Sequence, residues 1–356
     1  MKNKHKILII KLSSLGDVIF NIPLANVLKS SGYEVHWLVA EKGYQILEKN
    51  NCVDKVILAP VEKWKKSKNL VKNLKEFFEI LRELRRENYD IALDTQMRLK
   101  SLFFNKFCGA KRRIVSKDAK EFSQFGANEI IPKKRNKISH VVESYLDFAR
   151  YIGLTVNEIK FSLPESPNKT KDKIKNFLSN IDKNKPVVIL APATTWKGKH
   201  WDKNNWKCLV DKIKDSCNLF FSGTKDDVEF IEFIRDGVGV SLAGKTDLLE
   251  LIELLRNVDL LISLDSGTTN LAWAVQYPKI VSIYCCTPKE LYAPIDETGD
   301  KYISYSSEFC TPCHHKKCFV FNKYICTQSS TVDCVYEGVR KFLNVYEKSV
   351  DGGTNG

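Results

Sequence analysis

Ile7-Leu8-Ile9-Ile10-Lys11-Leu12-Ser13-Ser14-Leu15-Gly16-Asp17-Val18-Ile19-Phe20-Asn21-Ile22-Pro23 is the stretch whose reading decides the fold class. Residues 7–10 are an apolar run of the length of a strand buried on both faces, whereas Val18, Ile22, Ala25 and Leu28 recur at helical spacing. Between the two patterns lie Ser13, Ser14, Gly16 and Asp17, small or acidic residues where a strand hands over to a helix. A helix N-terminus offers unpaired N–H groups and the positive end of the helix dipole, so junctions of this kind hold ligands in open α/β sheets. Asp17 has two readings here. As a helix cap it is replaceable by asparagine at little cost; as a ligand-facing carboxylate it is not.

Working outward, the alternation continues. Residues 34–40, 55–60 and 90–94 read as strands, and 70–87 as a long amphipathic helix. The polar, proline-marked stretch 163–169 reads as a linker. Beyond it strands are expected at 186–191, 218–222, 240–243, 260–264 and 279–284, with helices at 206–215, 226–235, 248–256 and 266–275. Such alternation specifies βαβ units on parallel sheets. The expected fold class is therefore α/β: two Rossmann-like, doubly wound domains, residues 1–164 and 165–356, facing across a cleft. A final helix at 332–346 is expected to cross back over it, and the tail after 351, devoid of apolar residues, to be disordered.

The composition suits that plan. A chain of 356 residues accommodates two domains, and 43% hydrophobic with 28% charged residues is the balance of a soluble globular protein. No apolar run approaches the roughly 18 residues of a membrane-spanning helix. The basic start leads into a short strand pattern rather than a signal peptide, so a cytoplasmic protein is expected. A net charge of +13 points to polyanionic partners: nucleic acid, phosphorylated small molecules or an anionic membrane leaflet. The 11 cysteines, spread along a long chain, read mostly as free thiols.

Two further junctions carry chemistry. After the strand at 186–191 come Thr194, Thr195, Lys197, Gly198 and Lys199. Hydroxyls, N–H groups and lysines in a strand-end loop suit a diphosphate. After the strand at 260–264, Asp265, Ser266, Gly267 and Thr268 open a helix, with Gly267 allowing close approach of a ligand and Asp265 able to accept from sugar hydroxyls. The sequence lacks the G-x-G-x-x-G fingerprint. It also lacks the Asp-x-Asp triplet with which metal-dependent sugar-nucleotide enzymes hold a divalent cation.

Taken in order, these junctions resemble the lipopolysaccharide heptosyltransferases of glycosyltransferase family 9. Lys11 to Pro23 is similar to that family's K-x-S-S-x-G-D-V-x-x-x-x-P. Ala193-Thr194-Thr195 with Lys199-His200-Trp201 is similar to its A-T-T…K-H-W. Asp265-Ser266-Gly267 is similar to its D-[ST]-G-x-x-H-L, and Asp94-x-Gln96-x-x-x-Lys100-Ser101 to its acceptor-side D-x-Q-G-x-x-K-S. The resemblance implies a GT-B fold and an inverting, metal-independent transfer of heptose from ADP-heptose to a lipid A–core oligosaccharide, with no cofactor. By position it implies Asp17 as catalytic base and Lys199, with Thr194 and Thr195, as binder of the diphosphate. Ser13, Ser14, Gly16, Asp265, Ser266, Gly267, Thr268 and Asn270 would complete the donor site. Gln96 and Lys100 would face the acceptor. Phe20 and Asn270 stand where the family most often has histidine, and Met97 where it usually has glycine.

The basic residues Lys63, Lys65, Lys66, Arg112 and Arg113 fall in the half that this fold assigns to the acceptor. They are expected to hold acceptor phosphates and to lean on anionic lipid at the inner membrane. Cys310, Cys313, Cys318 and Cys326 have spacing that suits a structural metal site, but free thiols, lying away from the ligand junctions, are the expected state. Other readings are the same fold acting on another nucleotide sugar and a non-catalytic nucleotide-phosphate binder. A nucleic-acid-binding protein is disfavoured because no recognised module accompanies the charge.

Overall fold

The structure is a computed structural model that describes residues 5–132, 139–313, 315, 318, 320 and 324–351. The tail after 351 lies outside them. The chain divides into two compact units, Met1–Glu165 and Ser166–Gly356.

In the first unit the order is β1 (Lys6–Ile10), α1 (Leu15–Ser30), β2 (Glu34–Val39), α2 (Glu41–Leu47), β3 (Lys55–Leu58), α3 (Val61–Lys66), α4 (Leu70–Arg86), β4 (Ile91–Asp94), α5 (Leu99–Phe107), β5 (Arg112–Ser116), β6 (Glu129–Ile131) and α6 (Val141–Tyr151). In the second it is α7 (Asn168–Phe177), β7 (Val187–Ala191), α8 (Lys203–Ile213), β8 (Asn218–Phe221), α9 (Val228–Arg235), β9 (Val240–Ser241), α10 (Leu248–Leu255), β10 (Leu260–Leu264), α11 (Gly267–Val275), β11 (Lys279–Tyr284), α12 (Lys289–Tyr292), β12 (Lys301–Tyr305), α13 (Cys326–Ser329) and α14 (Val332–Asp351). Among the described residues no helix is long and apolar enough to cross a membrane.

Each unit holds one six-stranded parallel sheet, ordered β3-β2-β1-β4-β5-β6 and β12-β11-β10-β7-β8-β9. Counted within its own unit, the second order is the first repeated. This is the doubly wound order in which the chain reverses direction between the first and fourth strands and leaves a ligand crevice at their carboxyl ends. β1 and β4 flank that point in the first unit, with Ile10 opposite Asp94; β7 and β10 flank it in the second, with Ala191 opposite Ser263. These central strands are mostly Val, Ile and Leu because helices cover both faces.

Some expectations change. Helix α1 begins at Leu15 with Ser14 as its N-cap, so Asp17 is the third helical residue and not the cap. The linker expected over 163–169 stops short, since α7 begins at Asn168 behind Pro167. The Arg112-Arg113 run is the start of β5, a strand hidden in the sequence by its two leading arginines. Helix α14 packs on α8, β11 and β12.

Candidate active site

In the first unit the loop between β1 and α1 closes over Asp17. Its carboxylate accepts from the Ser14 N–H (3.0 Å), the Ser14 hydroxyl (2.8 Å) and the Tyr145 hydroxyl (2.9 Å). Lys11 Nζ lies 3.7 Å from Asp17 Oδ1 and donates to the Tyr145 hydroxyl (2.7 Å) and the Thr95 carbonyl (3.1 Å). The Lys11 side chain is 3% exposed and that of Asp17 32%. Burial acts to raise the Asp17 pKa, but the Lys11 charge and the Ser14 and Tyr145 hydrogen bonds outweigh it, so the carboxyl sits below its ordinary value and is ionised at neutral pH. Burial lowers the Lys11 pKa, with the Asp17 and Asp94 charges opposing it.

The loop after β4 supports this arrangement from behind. Gln96 is buried, and its Oε1 accepts from the N–H groups of Leu12 (3.0 Å) and Ser13 (2.9 Å). Through these bonds the Gln96 side chain shapes the Lys11–Ser14 loop. Asp94 accepts from the Gln96 and Met97 N–H groups and from the Ser101 hydroxyl, and burial raises its pKa to about 6. Met97 has φ of 54°, a left-handed conformation that explains why glycine is the usual residue there. Lys100 Nζ meets the Ser13 hydroxyl beside Asp17. Burial first, then the Lys11 and Lys65 charges, lower its pKa to about 8.

The outer basic residues divide. Arg112 forks onto Glu129 (2.7 and 2.8 Å), and Arg113 donates to the carbonyls of Ala110 (3.0 Å) and Gly126 (3.3 Å). Both guanidinium groups tie β5 to its surroundings. Lys63 pairs with Glu76 at 2.7 Å, while Lys65 and Lys66 are exposed.

In the second unit Lys199 Nζ lies 2.7 Å from Asp265 Oδ2 and 4.6 Å from the centre of the Trp196 ring. Thr287, in the loop after β11, also donates to Asp265. Thr194 donates to the Asp265 carbonyl at 3.4 Å. The rest of the K-H-W signature is architectural: His200 Nε2 meets the Thr194 carbonyl at 2.7 Å, and Trp201 packs edge-on against Trp206 in the core. Thr195 is exposed. Ser266 caps α11, Gly267 and Thr268 form its first turn, and the side-chain oxygens of Ser266 and Asn270 are buried without a hydrogen-bond partner. Buried polar atoms are seldom left unpaired; two at one helix N-terminus beside a lysine fit a polar ligand.

The cysteine cavity adjoins this loop. About 270 Å³ in volume, it is lined by Cys286, Cys310, Cys313, His315, Cys318 and Cys326. A Cβ on Gly198 would lie 3.3 Å from Cys286 Sγ, and Cys326 Sγ faces the Gly198 carbonyl at 3.9 Å. The expectation that the cluster lies away from every ligand junction is thus overturned. The cysteines form no disulfide, and among the described residues no group of three or more His, Cys, Asp or Glu is arranged to hold a metal ion. Burial pushes Cys286 up to about 11 and Cys326 up to about 12, so both are neutral thiols at pH 7.

Sequence reasoning missed Tyr145 and Thr287, and gave Lys11 no role. Tyr145 lies 128 residues from Asp17 and reaches it because α6 packs on α1; no local pattern carries that information.

The chain is similar to known proteins over most of its length. The sequence model of glycosyltransferase family 9 (heptosyltransferase) matches residues 77–324, which include Lys199 and Asp265 but not Asp17. The chain is 28% identical over 336 residues to lipopolysaccharide heptosyltransferase 1 of Campylobacter coli, covering 86% of this chain and 94% of the relative. It is 26% identical over 288 residues to the protein of the same name from Escherichia coli K12, covering 77% and 86%. Its fold is that of a glycosyltransferase family 9 protein from Veillonella parvula (TM-score 0.80, 18% identity, 97% and 99% coverage) and of E. coli heptosyltransferase WaaC with ADP (TM-score 0.73, 20% identity, 94% and 99% coverage).

Proposed function

The chain belongs to glycosyltransferase family 9, the heptosyltransferases, and on that premise we propose that it transfers heptose from ADP-heptose to a lipid A–core oligosaccharide by single displacement. It is a glycosyltransferase of lipopolysaccharide core assembly. The proposal adds donor, stereochemistry and residue roles. One observation carries it: both doubly wound sheets present their motif residues at the same topological point, a braced carboxylate in the first unit and a lysine with buried, unpaired polar atoms in the second.

In this reading an acceptor hydroxyl attacks the anomeric carbon, the bond from that carbon to the diphosphate oxygen breaks, and the configuration inverts. The hydroxyl proton passes to Asp17, a general-base role worth about 10²–10⁴ in rate. Ser14 and Tyr145 hold the carboxylate, and Lys11 keeps it ionised. The departing ADP gains charge, which Lys199, the Thr194 hydroxyl and the start of α11 stabilise. Lys199 exchanges its Asp265 partner for the diphosphate, freeing Asp265 for the sugar hydroxyls. Lys100, beside Ser13 and Asp17, meets the acceptor. The enzyme works on the cytoplasmic side of the inner membrane, as a peripheral protein.

The experiment is incubation of the purified chain with ADP-heptose and a heptose-free lipid A–core acceptor, reading the acceptor mass. One added heptose is expected. No transfer from ADP-heptose, together with thermal stabilisation by UDP-, GDP- or CMP-sugars instead, would transfer the assignment to another donor.

A further inference from the structure

Helix α4 presents two apolar faces. Phe77, Ile80, Leu81 and Leu84 face the core of the first unit. Leu70, Val71, Leu74 and Phe78 form a second stripe on the outside and remain 72%, 80%, 56% and 58% exposed. The neighbouring elements continue it. Phe77 touches both Phe78 and Phe104, linking α4 to α5, and Arg85 donates to the Phe107 carbonyl at 3.0 Å. On α5 the exposed rings of Phe103 and Phe107 stack on each other, and so do those of Phe122 and Phe125 in the short helical turn packed against α5. Contiguous apolar surface of this kind marks a binding face.

The charge around it selects the occupant. Residues 63–121 hold 17 of the lysines and arginines against 8 acidic residues, and so supply nine of the chain's net +13. Lys65, Lys66, Lys68, Lys72, Lys75, Arg82, Arg85, Arg86 and Lys106 are exposed. Of the acids within α4, Glu76 is paired with Lys63 and Glu83 with Lys55, and Glu79 is exposed. A second copy of the chain would bring like charge against like. A free oligosaccharide or nucleic acid would leave the leucines and phenylalanines in water. An apolar stripe bordered by lysine and arginine matches the boundary between anionic headgroups and acyl chains, where apolar side chains insert and each nearby basic residue adds about 1 kcal/mol.

We propose that the outer face of α4 and α5 is a membrane-docking surface that seats the enzyme on an anionic lipid bilayer. The inference rests on the lipid-linked acceptor of the proposed function. It assigns the attachment to specific side chains, none of which takes part in the chemistry.

The test is flotation of the full-length chain with vesicles of phosphatidylethanolamine and phosphatidylglycerol, against vesicles of phosphatidylcholine alone. The wild type should float with the anionic vesicles at least tenfold better, and should detach as salt is raised from 0.1 to about 0.5 M. The quadruple variant Leu70→Ser, Val71→Ser, Leu74→Ser, Phe78→Ser should lose at least tenfold of that binding, and so should Phe103→Ser with Phe107→Ser, made separately in case one set unfolds. Both variants should transfer heptose to detergent-dispersed acceptor within about twofold of wild type. Transfer lost by the wild type as well refutes the assigned reaction, not the docking surface. Vesicle binding unchanged in both folded variants overturns the docking surface. So does a wild-type dimer, seen by light scattering, that the variants convert to monomer without any vesicle binding by either.

Discussion

Replacing Asp17 with asparagine separates the two readings of that residue, and the structure sets the size of the effects. Asparagine keeps the shape and can still accept from the Ser14 N–H, as the third residue of a capping box does. It cannot carry the charge that faces Lys11 at 3.7 Å, a pair whose bare Coulomb energy is about 4–5 kcal/mol at an effective dielectric constant near 20. Lys11 keeps its bonds to Tyr145 and Thr95 and the field of Asp94, and the Asp17 side chain is partly open to water. A net loss of about 1–3 kcal/mol follows, less than for a fully buried pair, lowering the melting temperature by several degrees. The substitution is therefore not as silent as capping chemistry alone suggests. Its effect on catalysis should be larger: with no base, kcat should fall by about 10²–10⁴, or roughly 3–5 kcal/mol in the barrier. The assay is the initial rate of ADP release at saturating ADP-heptose and acceptor, well below the variant's melting temperature, with ADP affinity measured alongside. An asparagine variant that binds ADP normally and turns over within about threefold of wild type would refute Asp17 as the base.

Lys199→Ala should cost on the order of 10²-fold or more in kcat, whereas excess EDTA should leave the wild-type rate within about twofold; a rate abolished by EDTA and restored by magnesium would overturn the lysine-based account. Lys100, whose pKa is lowered to about 8, is charged below that pH and neutral above it, so KM for an anionic acceptor should rise as pH passes from about 7 to 9. Lys100→Arg should flatten that rise; a profile unchanged in the arginine variant would remove Lys100 from the acceptor site. Met97→Gly should be neutral or stabilise the fold by up to about 1 kcal/mol in urea unfolding, since relief of the left-handed strain outweighs or matches the added chain entropy. A loss above 1 kcal/mol would show that Met97 packing dominates.

The motifs were legible because their residues are close in sequence and sit where strand patterns end. Strand-end loops carry both the local signal, an apolar run meeting helical spacing, and the ligand chemistry, so Asp17, Lys199 and Asp265 could be picked out together. Less legible were elements whose residues disguise them: β5 begins with two arginines, and β6 has three residues. The bonds that Gln96, Arg112 and Arg113 make within the protein were hidden for a related reason. A polar side chain has the same letter whether it binds a ligand or the protein's own backbone, and only packing decides which.

By itself the sequence determined the α/β class and the order of the ligand loops, because hydrophobic periodicity and turn chemistry act over a few residues. Tertiary structure alone decided that β1 lies beside β4 and β7 beside β10. It also decided that Tyr145 and Lys11 brace Asp17, that Asp265 and Thr287 converge near Lys199, and that the cysteine cavity backs the Gly198 loop. Most of these contacts join residues far apart in the chain, and no local propensity encodes those. They exist because each parallel crossover returns the chain to the same end of its sheet, where residues distant in sequence are packed within hydrogen-bonding reach.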